Sequence, residues 1–230
     1  MAFNIFKRQT KKTCVVGLDG VPYTLISQLA RDGVMPRFNE LLDMGRMVPM
    51  HVTLPEISSV SWSSFMTGKN PGEHGIFGFT DLKEDGKSLR FPSYRDLKAR
   101  TIWDRLGRKG GKSVVINQPS TYPALPIPGV LISGFVAIEL RRSVAPPRYF
   151  DMLKEIGYEV DVDTELCKNS PRVLLRTLNT LLDKRQKVLD ILWKDVDWSF
   201  MEVIVTGTDR LHHFLWDAFE DTAHPHHQGF

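Results

Sequence analysis

The strongest constraint on the fold is a repeated switch of hydrophobic period along the chain. Thr13-Cys-Val-Val-Gly-Leu18 is a short, β-branched apolar run that suits a buried parallel strand, and it ends at Asp19-Gly20. Pro22 then opens a segment with Leu25, Ile26 and Leu29 on one helical face, stopped by Gly33. A second helical pattern over residues 35–44 carries Phe38, Leu41 and Leu42 and halts at Gly45. Downstream, Ile102, Trp103 and Leu106 form a helical stripe closed by Gly110-Gly111, and residues 113–116 and 130–133 read as further strands. Ser170 as N-cap and Pro171 at the first helical position start a long helix, whose Leu174, Leu178, Leu181, Val188 and Leu192 keep helical spacing as a core stripe. Residues 198–205 are strand-like again and end at Thr206-Gly-Thr-Asp209. Strands alternating with helices predict an α/β fold: a mostly parallel sheet with helices on both faces.

Composition narrows the function classes. Hydrophobic residues at 42% and charged residues at 25% are globular values. The net charge of +3 comes largely from a basic tail over residues 1–12, so no nucleic-acid-binding face is expected. That tail lacks the apolar stretch of a secretory signal, and no run reaches the roughly 18 apolar residues needed to insert in a membrane. A cytoplasmic protein is expected, with Cys14 as a reduced core thiol and Cys167 as a reduced thiol in a polar loop. The region 13–230 reads as one large domain, with insertions near 80–98 and 135–170 that face the substrate.

In an open parallel sheet, ligands bind beyond the carboxyl ends of the strands, and Asp19 and Asp209 each directly follow a strand-like run. Each alone serves equally well as a helix cap. Asp209 with His213, four residues apart at a helix start, is more specific, because that spacing puts both side chains on one face as a shared metal requires. Between them, the serine-rich segment 55–68 carries Trp62, Phe65 and Met66 in the pattern of a short helix ending at Gly68, with Ser58 at its start. There a hydroxyl meets the positive end of the helix dipole, a setting for phosphate binding; an ordinary Ser N-cap is the alternative.

Five blocks in order carry a family resemblance. They are Val16-Gly-Leu-Asp19-Gly20, Thr53-Leu-Pro-Glu-Ile-Ser58, Trp62-Ser-Ser-Phe-Met-Thr-Gly-Lys-Asn-Pro-Gly-Glu-His-Gly-Ile76, Asn117-Gln-Pro-Ser-Thr-Tyr-Pro123 and Thr206-Gly-Thr-Asp-Arg-Leu-His-His213. Together they resemble the type I phosphodiesterase/nucleotide pyrophosphatase branch of the alkaline phosphatase superfamily. The resemblance implies a small phosphorylated substrate and hydrolysis of a phosphate monoester or diester through a phosphoserine. It also implies two divalent ions, zinc or alternatively manganese. Ser58 takes the place of the family nucleophile, with Ser59 as the alternative one register away. Asp19 and Ser58 would hold one ion, Asp209 and His213 the other. A phosphate-transferring mutase or headgroup transferase on the same scaffold is a further alternative.

Two departures qualify that picture. The family's Asp-His-Gly block and a later His, three further ligands, have no counterpart here, so the chain carries about half of a coordination shell. A C-terminal part of the domain is thus expected to be missing, and a noncatalytic folding or binding unit is the rival reading. Phe79 stands where nucleotide-cleaving relatives often carry an Asn. Other signals are weaker. Gly110-Gly-Lys-Ser113 fails as a phosphate-binding loop because Leu106 occupies the first glycine position and the element order is reversed. His224, His226 and His227 read as exposed loop, His74 as structural, and His212 as facing solvent or supporting a ligand.

Overall fold

The computed structural model describes residues 11–168 and 170–227, without the side chain of Lys168; most of the basic tail lies outside the described residues. Its central sheet has five strands: β1 (Thr13–Leu18), β4 (Ser113–Gln118), β5 (Gly129–Ser133), β6 (Val144–Ala145) and β7 (Phe200–Val205). They lie in the order β1-β7-β4-β5-β6, parallel except where β6 pairs antiparallel with β5. A separate hairpin pairs β2 (Asp81–Leu82) with β3 (Leu89–Arg90), inside a stretch whose sequence has no period. The helices are α1 (Tyr23–Arg31), α2 (Pro36–Met44), α3 (Ser58–Thr67), α4 (Pro71–His74), α5 (Ile102–Gly107), α6 (Phe150–Ile156), α7 (Thr164–Lys168), α8 (Pro171–Asp195) and α9 (Gly207–Glu220).

Period-two alternation divides the strands between two cores. Val114 and Ile116, Val130 and Ile132, and Met201 and Val203 pack with Leu153 of α6 and with Val188 and Leu192 of α8. The intervening Val115, Leu131 and Phe200 pack on the other face with Met66 of α3 and Trp103 of α5, whose indole N–H donates to Tyr94 at 2.8 Å. A third cluster joins Leu174, Leu178 and Leu181 of α8 to Leu215 and Ala218 of α9. Helices therefore cover both faces, as the alternation predicts. Ser170 caps α8 through the Val173 N–H, also as predicted.

Several local expectations are corrected. Among the described residues β1 is an edge strand, and Val16 is 61% exposed instead of buried. Cys14 is exposed and not a core thiol, while Cys167 is buried in α7 and not in a polar loop. The period of an apolar run sets which residues share a face, but only the neighbours decide whether that face is covered. No helix among the described residues is long and apolar enough to cross a membrane.

Candidate active site

Because β1 and β7 are parallel neighbours, their carboxyl ends lie side by side and bring Asp19 to the start of α9. The Asp19 N–H donates to the Val205 carbonyl at 3.0 Å, and the Thr208 hydroxyl donates to the Asp19 carbonyl at 2.6 Å. Gly20 takes φ of +72°, and a Cβ there would stand 3.1 Å from Asp209 Cα and 3.2 Å from its Oδ1. A residue without a side chain thus admits Asp209 this close to the end of β1.

Ser58 is the first residue of α3, with Ile57 in the capping position, and its hydroxyl does not cap the helix. It donates instead to Asp19 Oδ1 at 3.3 Å. One turn on, Trp62 Nε1 donates to the same oxygen at 2.9 Å. The indole reaches over β1 because Gly17 is bare: a Cβ there would be 2.5 Å from Trp62 Cη2. Asp19 is only 8% exposed. Burial pushes its carboxyl above the usual range and the Asp209 charge adds to this, while the Trp62 and Ser58 hydrogen bonds oppose the shift.

Asp209 faces His213 and Arg210. His213 Nε2 is 3.5 Å from Asp209 Oδ1, the one-turn pairing expected from their spacing, although the imidazole is largely exposed. Arg210 Nη1 is 3.6 Å from Asp209 Oδ2. The Arg210 fork binds Asp161 through Nε at 3.0 Å and Nη2 at 2.5 Å, and it lies 4.6 Å over the Phe135 ring. Burial works against its charge, but Asp161, Asp209 and Asp19 outweigh that and hold its pKa above the ordinary value. His212, expected toward solvent or in a supporting role, has its Nδ1 3.0 Å from the Gly20 carbonyl and its ring against Trp216.

Ser58, Asp19 and Asp209 therefore come together, and His213 joins them through Asp209. Among the described residues, however, no three His, Cys, Asp or Glu side chains gather as a metal-holding group. His74 is fully buried, with Nε2 2.9 Å from Ser64 Oγ and Nδ1 accepting the Ile76 N–H at 3.1 Å, which is a structural pairing. His227 Nδ1 is 2.8 Å from the Ala218 carbonyl, and His224 lies 3.7 Å from Asp217, so both are tied to α9.

The profile of the type I phosphodiesterase/nucleotide pyrophosphatase family matches residues 13–226. The chain belongs to this family. Similar solved structures include phosphonoacetate hydrolase from Sinorhizobium meliloti 1021 in complex with phosphonoformate and the same enzyme in complex with phosphonoacetate. Each is 16% identical with a TM-score of 0.58, and the likeness covers 85% of this chain and 46% of the other. At that identity the likeness bears on the fold, and the chain spans just under half the length of that hydrolase. No curated protein matches the sequence. The family membership bears out the resemblance carried by the five motif blocks.

The family blocks include Trp62 and Arg210, but sequence reading gave neither a part in the site. Trp62 follows Ser58 by four residues, a spacing that puts both on one face of α3 and was the available signal. Asp161 had none, since its approach to Arg210 joins a loop to a helix across 49 residues.

Proposed function

We propose that this family member acts on phosphate esters by nucleophilic attack of Ser58 on phosphorus, with Asp19, Asp209 and His213 as ligands for divalent ions. The observation that carries the reading is the Ser58 hydroxyl donating to Asp19 Oδ1 from the first position of α3, instead of capping its own helix. Asp19 Oδ1 holds the Ser58 proton, so the oxygen lone pairs are free to face a phosphoryl group. Trp62 fixes that carboxylate from the other side. The Val60 and Ser61 N–H groups already donate to the Ile57 carbonyl, which leaves those of Ser58 and Ser59 as helix-start donors for phosphoryl oxygens. The Ser58 Oγ–P bond forms as the P–O bond to the leaving group breaks, and the hydroxyl proton passes by way of Asp19 to the leaving oxygen; water then attacks the phosphoserine, restoring the Ser58 hydroxyl and releasing phosphate from a monoester or a phosphate monoester from a diester.

The donor set fits a divalent ion in part. Asp19 and Asp209 lie close enough for the charge of one to disfavour ionisation of the other, and two carboxylates with an imidazole suit zinc or manganese. Such an ion, when bound, supplies charge neutralisation for the attacking and leaving oxygens. The lack of a three-ligand cluster among the described residues favours a second reading, a noncatalytic folding or binding unit.

One experiment separates them. Purified chain is incubated with zinc or manganese and p-nitrophenyl phosphate or its diester, acid-quenched and digested for mass spectrometry. Phosphate on the Ser58 peptide, lost in Ser58→Ala, is expected. No bound metal, no nitrophenol and no phosphopeptide would establish the noncatalytic reading, and a phosphopeptide that persists in Ser58→Ala would move the nucleophile to Ser59.

A further inference from the structure

We infer that the cavity beside α3 is the seat of the substrate's organic group, and that it selects an apolar, ring-sized group over a polar nucleoside. This rests on the phosphoryl reading of Ser58. The cavity has a volume of about 420 Å³ and is walled by Ser59 of α3, Phe79, Phe91, Tyr122 and two residues of the loop after β5, Val136 and Ile138. Ser59, which forms part of its wall, is the residue next to Ser58, so the cavity lies at the same end of α3 as the proposed nucleophile.

Three observations mark it as a ligand site. The Ser59 hydroxyl is buried, with the residue 3% exposed, yet it has no hydrogen-bond partner among the described residues. A buried hydroxyl left unpaired costs free energy that a ligand acceptor would recover. Ser120, also in the wall, holds φ of +62°, a strained setting for a residue with a side chain, fixed by its N–H to the Phe135 carbonyl and its hydroxyl to the Ser59 carbonyl. Phe91 and Ile138 at the rim are 75% and 85% exposed, large apolar surface that a bound group would cover.

The chemistry of the wall sets the class of ligand. Phe79 stacks edge-on against Phe135 at 5.3 Å and offers no donor to a purine or pyrimidine edge. Arg142 is the one charged residue among those lining the cavity, and its guanidinium lies 5.5 Å over the Tyr122 ring. The volume suits a substituted phenyl ring or a short acyl chain; either would bury its carbon surface against the aromatic and aliphatic side chains. The orphaned Ser59 hydroxyl would read a single acceptor on it.

Binding of three inert probes to the full chain tests this by ligand-observed saturation-transfer NMR: methylphosphonate for the phosphoryl site, phenol for the cavity, and phenylphosphonate for both. Phenylphosphonate is expected to bind about tenfold or more tightly than methylphosphonate, the gain from burying a phenyl ring. The double variant Phe91→Ser, Ile138→Ser changes exposed side chains and so spares folding. It should erase that preference and leave methylphosphonate binding unchanged. Equal affinity for the two phosphonates overturns the cavity assignment and leaves the phosphoryl reading standing. Binding of phenol without methylphosphonate overturns the phosphoryl reading, and the cavity's role as the seat of the substrate's organic group falls with it; binding of none of the three overturns both. A double variant that keeps the full preference also overturns the assignment.

Discussion

Replacing Glu202 by Gln should make the protein markedly more stable in mildly alkaline solution. Glu202 sits in β7 between Val15 of β1 and Val115 of β4, on the face that packs against α3 and α5, and it is fully buried. Neither carboxylate oxygen has a partner among the described residues. Burial without compensation pushes the carboxyl pKa from 4.5 up to about 8. Below pH 4.5 folded and unfolded chains both hold the proton, and the residue adds nothing to the pH dependence. Between 4.5 and about 8 the unfolded chain has released it and the folded chain has not, so stability falls by 2.303RT per pH unit. Across that window the loss approaches roughly 5 kcal/mol, a large share of the stability of an ordinary domain. Gln keeps the shape and remains neutral. Urea unfolding of both proteins from pH 5 to 9 should give a stability difference near zero at the acid end that grows to several kcal/mol in favour of Glu202→Gln. A difference that stays constant with pH would refute the reasoning, since it would mean that the carboxyl is solvated or paired in the folded protein.

Three further outcomes follow from the site. Gly17→Ala places a Cβ 2.5 Å from Trp62 and 2.6 Å from Ile204 Cδ1 and should cost about 1–3 kcal/mol; an unchanged urea midpoint would show that Trp62 does not pack on β1 as described. Asp161→Asn removes the forked partner of Arg210, whose side chain is only 14% exposed, and should destabilise by about 3 kcal/mol; a loss below about 1 kcal/mol would make that pair a solvated one. Asp209→Asn should weaken zinc binding at least tenfold in calorimetric titration, and unaltered binding would remove Asp209 from the ligand set.

What the sequence determined is the alternation of strand and helix, because hydrophobic period and turn chemistry act over a few residues. It therefore specified the α/β class, the long α8 with its Ser170 cap, the start of α3 at Ser58, and the positions of Asp19 and Asp209 beyond strand ends. The pairing of His213 with Asp209 was also legible, since four residues on a helix fix a face without help from the rest of the chain. Tertiary structure alone decided that β7, the last strand among the described residues, lies between β1 and β4, and this insertion is what puts Asp19 beside Asp209. It also decided that the Ser58 hydroxyl serves Asp19 and not its own helix, that Trp62 reaches the same carboxylate across a bare Gly17, and that Arg210 meets Asp161. The edge position of β1 left Cys14 and Val16 exposed despite a core-like sequence. Each of these depends on which surfaces meet across tens to nearly two hundred residues, and a local pattern carries no information about its distant partner.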